Sequence, residues 1–219
     1  DSYQFITITL YDAATTSKAA VTVAVYILSD VLVSATVNAS LTFDVTGTTT
    51  GITINGDSTN IDLDGLDTTI PFGTLTSAGG DSGEYRAGHD LHVSTNAADG
   101  FTVTVEQDGN LRTSAGADID SFMPVLTAQV WAAPTSTIGV ETSYGHFGVA
   151  SDDTDISLPP GDGEYVGLNG TNPLDIMTNA GPAIGSTKGA GWTSVIYNVQ
   201  ISDLQEAGDY QNILTYICT

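Results

Sequence analysis

Basic residues are almost missing from this sequence. Across 219 residues there are four, Lys18, Arg86, Arg112 and Lys188, against 26 aspartates and glutamates, giving a formal net charge of −22. A chain of this charge repels phosphate backbones and anionic lipid, which excludes nucleic-acid binding as a function class. A single cysteine, Cys218, excludes an intramolecular disulfide. No apolar run reaches the roughly 18 residues of a membrane span. Nowhere do apolar residues recur convincingly at i, i+3, i+4 and i+7, so amphipathic helices are not expected. The opening "DSYQFITITL" has no Met and no basic n-region. No signal peptide is read there; a start at Asp1 suggests either the processed end of an exported protein or simply the point where the sequence begins.

What the chain does have is β-forming residues and uncharged polar ones. The hydrophobic fraction is 41%, enough for a core, while charged residues make up only 14%. The polar surface is therefore mostly Thr, Ser, Asn and Gly, a composition that points to an extracellular, cell-surface β protein. Short β-branched runs recur at 3–11, 20–28, 31–37, 40–47, 51–56, 68–75, 89–96, 100–107, 124–132, 143–151, 192–202 and 209–219. About a dozen strands at this spacing predict a sandwich or barrel. "NGDS" (55–58) and "QDGN" (107–110) carry hairpin dipeptides. In "FTVTVEQ" (101–107), Phe101, Val103 and Val105 alternate with Thr102, Thr104 and Glu106, predicting one buried and one wet face. Residues 76–88 and 151–191 read as surface loops, with a short helix near 172–180.

Catalytic chemistry is hard to place. Cys218 lies in the final predicted strand, a poor place to preorganise a nucleophile, and no Gly-x-Ser-x-Gly elbow exists. His89 and His92 sit three apart in a strand and so point to opposite faces; His146 reads as a polar strand position. Glu84, Glu106, Glu141, Glu164 and Glu206 are candidates for a glycosidase pair, but only Trp131 and Trp192 could serve as tryptophan sugar platforms, and both read as core or boundary aromatics. Acidic clusters occur at 60–67, 116–120 and 151–155. Asp62, Asp64 and Asp67 partly resemble a calcium loop but lack its closing Glu. No enzyme activity and no cofactor are expected, with a structural calcium as the weak exception. Two sequons, at Asn38 and Asn169, are candidate glycosylation sites.

The last stretch, "LQEAGDYQNILTYICT", carries the functional reading. Leu204, Gly208 and Tyr210 follow the Leu-x-x-x-Gly-x-Tyr order of a tyrosine corner, which in immunoglobulin-like folds precedes strand F. The strand after it is apolar on both faces at Ile213, Leu214, Tyr216 and Ile217, and a bare edge of that kind invites pairing. The ending resembles the last strands of spore-coat-U-like pilins of archaic chaperone–usher pili. Its logic is similar to donor-strand filaments of the TasA and archaeal-thread kind. The runs 87–111 and 144–153 also resemble a family of uncharacterised microbial surface proteins. The chain departs from the pilins in lacking their disulfide and in its length.

The resemblance implies an all-β, Ig-like or jelly-roll antiparallel β-sandwich (29–219) preceded by a donor-strand region (1–28). Phe5, Ile6, Ile8 and Leu10 would form the donor strand, with Val21, Val23, Val25 and Ile27 as a second candidate. The expected function is a structural subunit of a pilus-like extracellular homopolymer, joined by donor-strand complementation. The alternative is a monomeric adhesin or carbohydrate-binding module whose own N-terminal hairpin completes the sheet.

Overall fold

The computed structural model describes residues 2–27, 31–77, 83–157 and 160–219. Its strands are β1 (Ser2–Tyr11), β2 (Ser17–Ile27), β3 (Leu41–Gly47), β4 (Thr53–Ile54), β5 (Asp57–Ser58), β6 (Glu84–Thr95), β7 (Phe101–Gln107), β8 (Leu111–Arg112), β9 (Asp118–Ser121), β10 (Gln129–Val130), β11 (Gly145–Ser151), β12 (Glu164–Tyr165), β13 (Leu174–Asn179), β14 (Trp192–Ile201) and β15 (Leu214–Cys218). No α-helix occurs among the described residues; one 3-10 turn covers Glu141–Ser143. The protein is all-β. The chain divides into two units, Asp1–Asn38 and Ala39–Thr219. The boundary predicted at 28/29 lies outside the described residues.

In the first unit β1 and β2 form an antiparallel hairpin. Asp12 closes its turn, its Oδ1 accepting from the backbone N–H of Ala14 at 3.0 Å and of Thr16 at 2.9 Å. This is the Asx-type turn that Asp favours. Residues opposite each other share a face, so Ile6, Ile8 and Leu10 stand with Val23, Val21 and Ala19. The other face has Phe5, Thr7 and Thr9 opposite Ala24, Thr22 and Ala20, and the Thr7 and Thr22 hydroxyls bond at 3.0 Å. Both faces are exposed; Phe5 is 70% and Ile8 61% accessible.

Residues 31–37, predicted as a strand, pair with no other strand among the described residues. No backbone hydrogen bond ties them to the rest of the described chain. Val31, Leu32, Val33 and Val37 are 83–90% exposed. Strand propensity records a fit to a pleated, half-buried surface, and these residues enter no sheet among the described residues.

The second unit is built on a curled six-stranded sheet in the order β3-β6-β14-β11-β9-β8. Its ladders are antiparallel except β9 with β11, which run parallel through His146↔Asp120 and Phe147↔Ser121. This departs from the wholly antiparallel arrangement expected. The long connection over residues 122–144 brings the chain back in the same direction, as a parallel pair requires.

A three-stranded sheet, β13-β7-β15, supplies the opposing apolar residues. Phe101, Val103 and Val105 of β7 are buried, and its polar positions are half-exposed, as their alternation predicts. They join Leu91 and Val93 of β6, Val195, Tyr197 and Val199 of β14 and Phe147 and Val149 of β11 in one core. A second cluster, Ile54, Phe122, Ala150, Tyr165 and Ile196, covers the other face of the large sheet. The central strand β14 is thus buried on both sides.

Three sequence expectations fail for physical reasons. The segment 172–180 is strand β13, because Leu174, Ile176 and Met177 bury against β7 across a bulge between Asp175 and Met177. Asp108-Gly109 closes no hairpin: β7 and β8 belong to different sheets, and the turn carries the chain between them. Residues 68–75 form no strand, since Pro71 removes a ladder donor and Gly73 has φ +72°. Asn55-Gly56 does make its tight turn, with φ +51° and +81°, between β4 and β5.

Candidate functional site

β15 is an edge strand, paired with β7 alone. Thr219 and Thr102 exchange both backbone bonds, at 2.9 and 3.0 Å, and the Ile213 carbonyl accepts from Asp108 N–H at 3.0 Å. In an antiparallel ladder bonding alternates along the strand. Odd-numbered residues therefore face β7, while Leu214, Tyr216 and Cys218 turn their N–H and C=O groups to the opposite edge. Among the described residues no strand lies on that edge.

The same three side chains point inward and pack half-buried against the main core. The Tyr216 hydroxyl bonds the buried Tyr197 hydroxyl, and its ring lies 6.4 Å from that of Phe43 on β3. Burial holds the Tyr216 phenol far above its ordinary value, so it stays protonated. His89 Nδ1 lies 3.4 Å from Tyr197 Oη and its Nε2 3.2 Å from the Leu66 carbonyl. Burial lowers its pKa, so it packs as a neutral ring. His92 lies by Trp192, with ring centroids 5.5 Å apart, and His146 Nδ1 meets the Ala132 carbonyl at 3.1 Å. The three histidines form no common site.

Beside β15 opens a groove of about 1390 Å³. Three strands cannot cover the inner face of six at a common spacing of about 4.8 Å, and the groove is the part left over. Its floor includes Val45, Phe147, Val199 and Ile201, and Leu214 and Tyr216 form one side. The irregular segment 67–75 also lines it, held by Phe72 set edge-on to Phe147 at 6.4 Å. Asp44, Asp67, Glu206 and Asp209 give it acidic groups. Small-molecule pockets run to roughly 300–1,000 Å³; this one is larger, and the edge of β15 left unpaired among the described residues runs beside it.

The predicted corner borders the groove. Tyr210 Oη donates to the Glu206 carbonyl at 2.6 Å, the bond back to upstream backbone that characterises such a corner, and Gln205 Nε2 donates to the same hydroxyl at 2.8 Å. Gly208 lies against Thr113, where a Cβ would come within 2.6 Å of its methyl. Leu204 is half-buried at the start of the turn.

Of the predicted acceptor residues, Ile213, Leu214 and Tyr216 line the groove, whereas Ile217 turns to the outer face and is 46% exposed. Cys218 takes the inward position, where burial raises its thiol pKa and disfavours the thiolate. The predicted donor residues all lie in the first unit's hairpin; the Ile27 side chain is outside the described residues. The groove floor was missed. Alternation at Phe43 and Val45 signals an inward face, but no local pattern reveals that the face is left partly bare.

Metal-capable geometry lies elsewhere. Asp62, Asp64 and Asp67 are exposed and do not converge. Among the described residues the carboxylates that do converge are Asp118, Asp120 and Glu141, whose oxygens lie within 4.8 Å of one another. Asn110 Nδ2 bridges Asp118 and Asp120 at 2.9 Å each. Burial, then the hydrogen bonds and charges of the two aspartates, raise the Glu141 carboxyl to about 7. The sequence cluster at 116–120 held two of these groups; Glu141 joins them only through the fold. Asn169 Oδ1 is engaged by Asn172 N–H at 2.7 Å within its loop, and Asn38 is exposed. Comparison with family models, curated proteins and solved structures finds no match to this chain.

Proposed function

We propose that the protein is a structural subunit of an extracellular filament, whose copies join when a strand from the N-terminal unit of one enters the groove beside β15 of the next. Under this reading the two sheets of the second unit are a jelly-roll or Ig-like sandwich short of one edge strand. The added strand would bond the outward backbone groups of Leu214, Tyr216 and Cys218, and its alternate side chains would fill the groove. The observation that carries the reading is the pairing of two incomplete surfaces in one chain. One unit has a groove with an apolar floor, acidic groups and an open strand edge among the described residues, and the other has strand-forming residues with exposed apolar side chains. Each copy offers both, and a head-to-tail contact of that kind need not close, so it propagates.

Negative-stain microscopy and size exclusion of the full chain test the reading. Concentration-dependent polymers are expected, and deletion of residues 1–38 should leave a folded monomer with a cooperative thermal transition. A full chain that stays monomeric at millimolar concentration, or polymers that survive the deletion, would overturn it.

A further inference from the structure

The N-terminal unit offers two kinds of strand, and they are not equivalent. β1 and β2 already satisfy each other along their length, from Ser2↔Ile27 to Tyr11↔Ser17. Residues 31–37, "VLVSATV", have no backbone partner among the described residues. We infer that residues 31–37 of a second copy are the strand that fills the groove. This rests on the strand-addition reading above and names its donor.

Pattern, length and charge support the assignment. Val31, Val33, Ala35 and Val37 fall on one face and Leu32, Ser34 and Thr36 on the other, so one apolar row can enter the groove while hydroxyls face out. The seven residues match the seven, Ile213 to Thr219, that run beside β7. The segment has no charged residue. A neutral apolar strand therefore meets the acidic groups Asp44, Asp67, Glu206 and Asp209 without like-charge repulsion. Val31, Leu32, Val33 and Val37 are 83–90% exposed. Strand-forming residues left without a sheet become an ordered strand once a copy supplies the open edge.

Two double substitutions in the full chain separate this donor from the hairpin. Val33→Asp with Val37→Asp changes side chains that touch little within the subunit, so the thermal transition should be unmoved. Polymer onset should shift to a concentration higher by at least about tenfold, because two carboxylates would be desolvated against an apolar floor beside Asp44, Asp67, Glu206 and Asp209. Ile6→Asp with Ile8→Asp should shift onset far less. As a second measurement, a synthetic peptide of residues 31–38 in excess should cap growth of the unaltered chain, and a peptide of residues 2–11 should not. Normal assembly of the Val33/Val37 variant overturns the inference. Capping by the 2–11 peptide alone also overturns it, while leaving strand addition standing. If both variants fail to assemble, the peptide result decides. If the unaltered chain forms no polymer, strand addition itself fails and takes this inference with it.

Discussion

At the residue scale, two side chains, Tyr210 beside the groove and Glu141 away from it, affect stability in ways that can be measured. Tyr210 ties the turn before β15 through its bond to the Glu206 carbonyl. Tyr210→Phe removes that bond and one partner of Gln205, whose amide keeps its bond to the Asp118 carbonyl at 2.8 Å. The expected loss is about 1–1.5 kcal/mol, a fall in Tm of about 2–6 °C for a chain this size. A Tm unchanged within a degree would show that the corner does not stabilise the fold. Glu141 acts in the opposite sense. Its carboxyl rises from an ordinary 4.5 to about 7 because burial and the two aspartates disfavour its charge. Between those values the folded protein holds a proton that the unfolded chain has released. Stability is therefore greatest at the acid side and falls as pH rises toward 7. Burial and the Asp118 charge also raise the Asp120 pKa, with the same sign. Glu141→Gln should flatten this decline and raise Tm at pH 8 by about 1–3 °C, the size of relief from a solvent-screened charge contact. Scanning fluorimetry from pH 5 to 8 checks it; an equal decline in the variant would place the titration elsewhere.

At the element scale, the sequence was most legible where a strand is half-buried and least where context decides. Alternation in 101–107 gave β7 and its inward face, because period-2 burial is a local property. The same logic could not see that residues 31–37 join no sheet among the described residues, since propensity describes a strand and says nothing of its partner. Residues 172–180 looked helical near Leu174, Ile176 and Met177 because short apolar runs are ambiguous by period alone; packing against β7 settles them as β13. Residues 68–75 carry Ile70, Phe72 and Leu75 in strand-like order, yet Pro71 keeps them off any ladder, and they line the groove instead. The open edge of β15 was readable as an apolar final run. The groove beside it was not, because its floor comes from strands far apart in sequence, Phe43 on β3 and Phe147 on β11.

At the scale of the whole molecule, charge distribution sets how copies can meet. Residues 1–38 contain Asp1, Asp12, Asp30 and Lys18, three acids and one base, for a net −2. The remaining 181 residues hold the other 23 acids and three bases, for −20, which restores the total of −22. Under the proposed strand addition, a nearly neutral segment meets a strongly anionic body, while the bodies themselves repel. The Debye length is about 30 Å at 0.01 M salt and about 8 Å at 0.15 M. Repulsion between bodies should thus dominate encounters at low salt and be largely screened at physiological salt. Association between like-charged partners slows by the factors through which opposite charge speeds it, on the order of 10 to 10³. Light scattering should show polymer growth at least about tenfold faster at 0.15 M than at 0.01 M salt, with little further gain above that. Growth that slows with added salt would mean that opposite charges meet at the contact, which a neutral strand in an acidic groove does not allow.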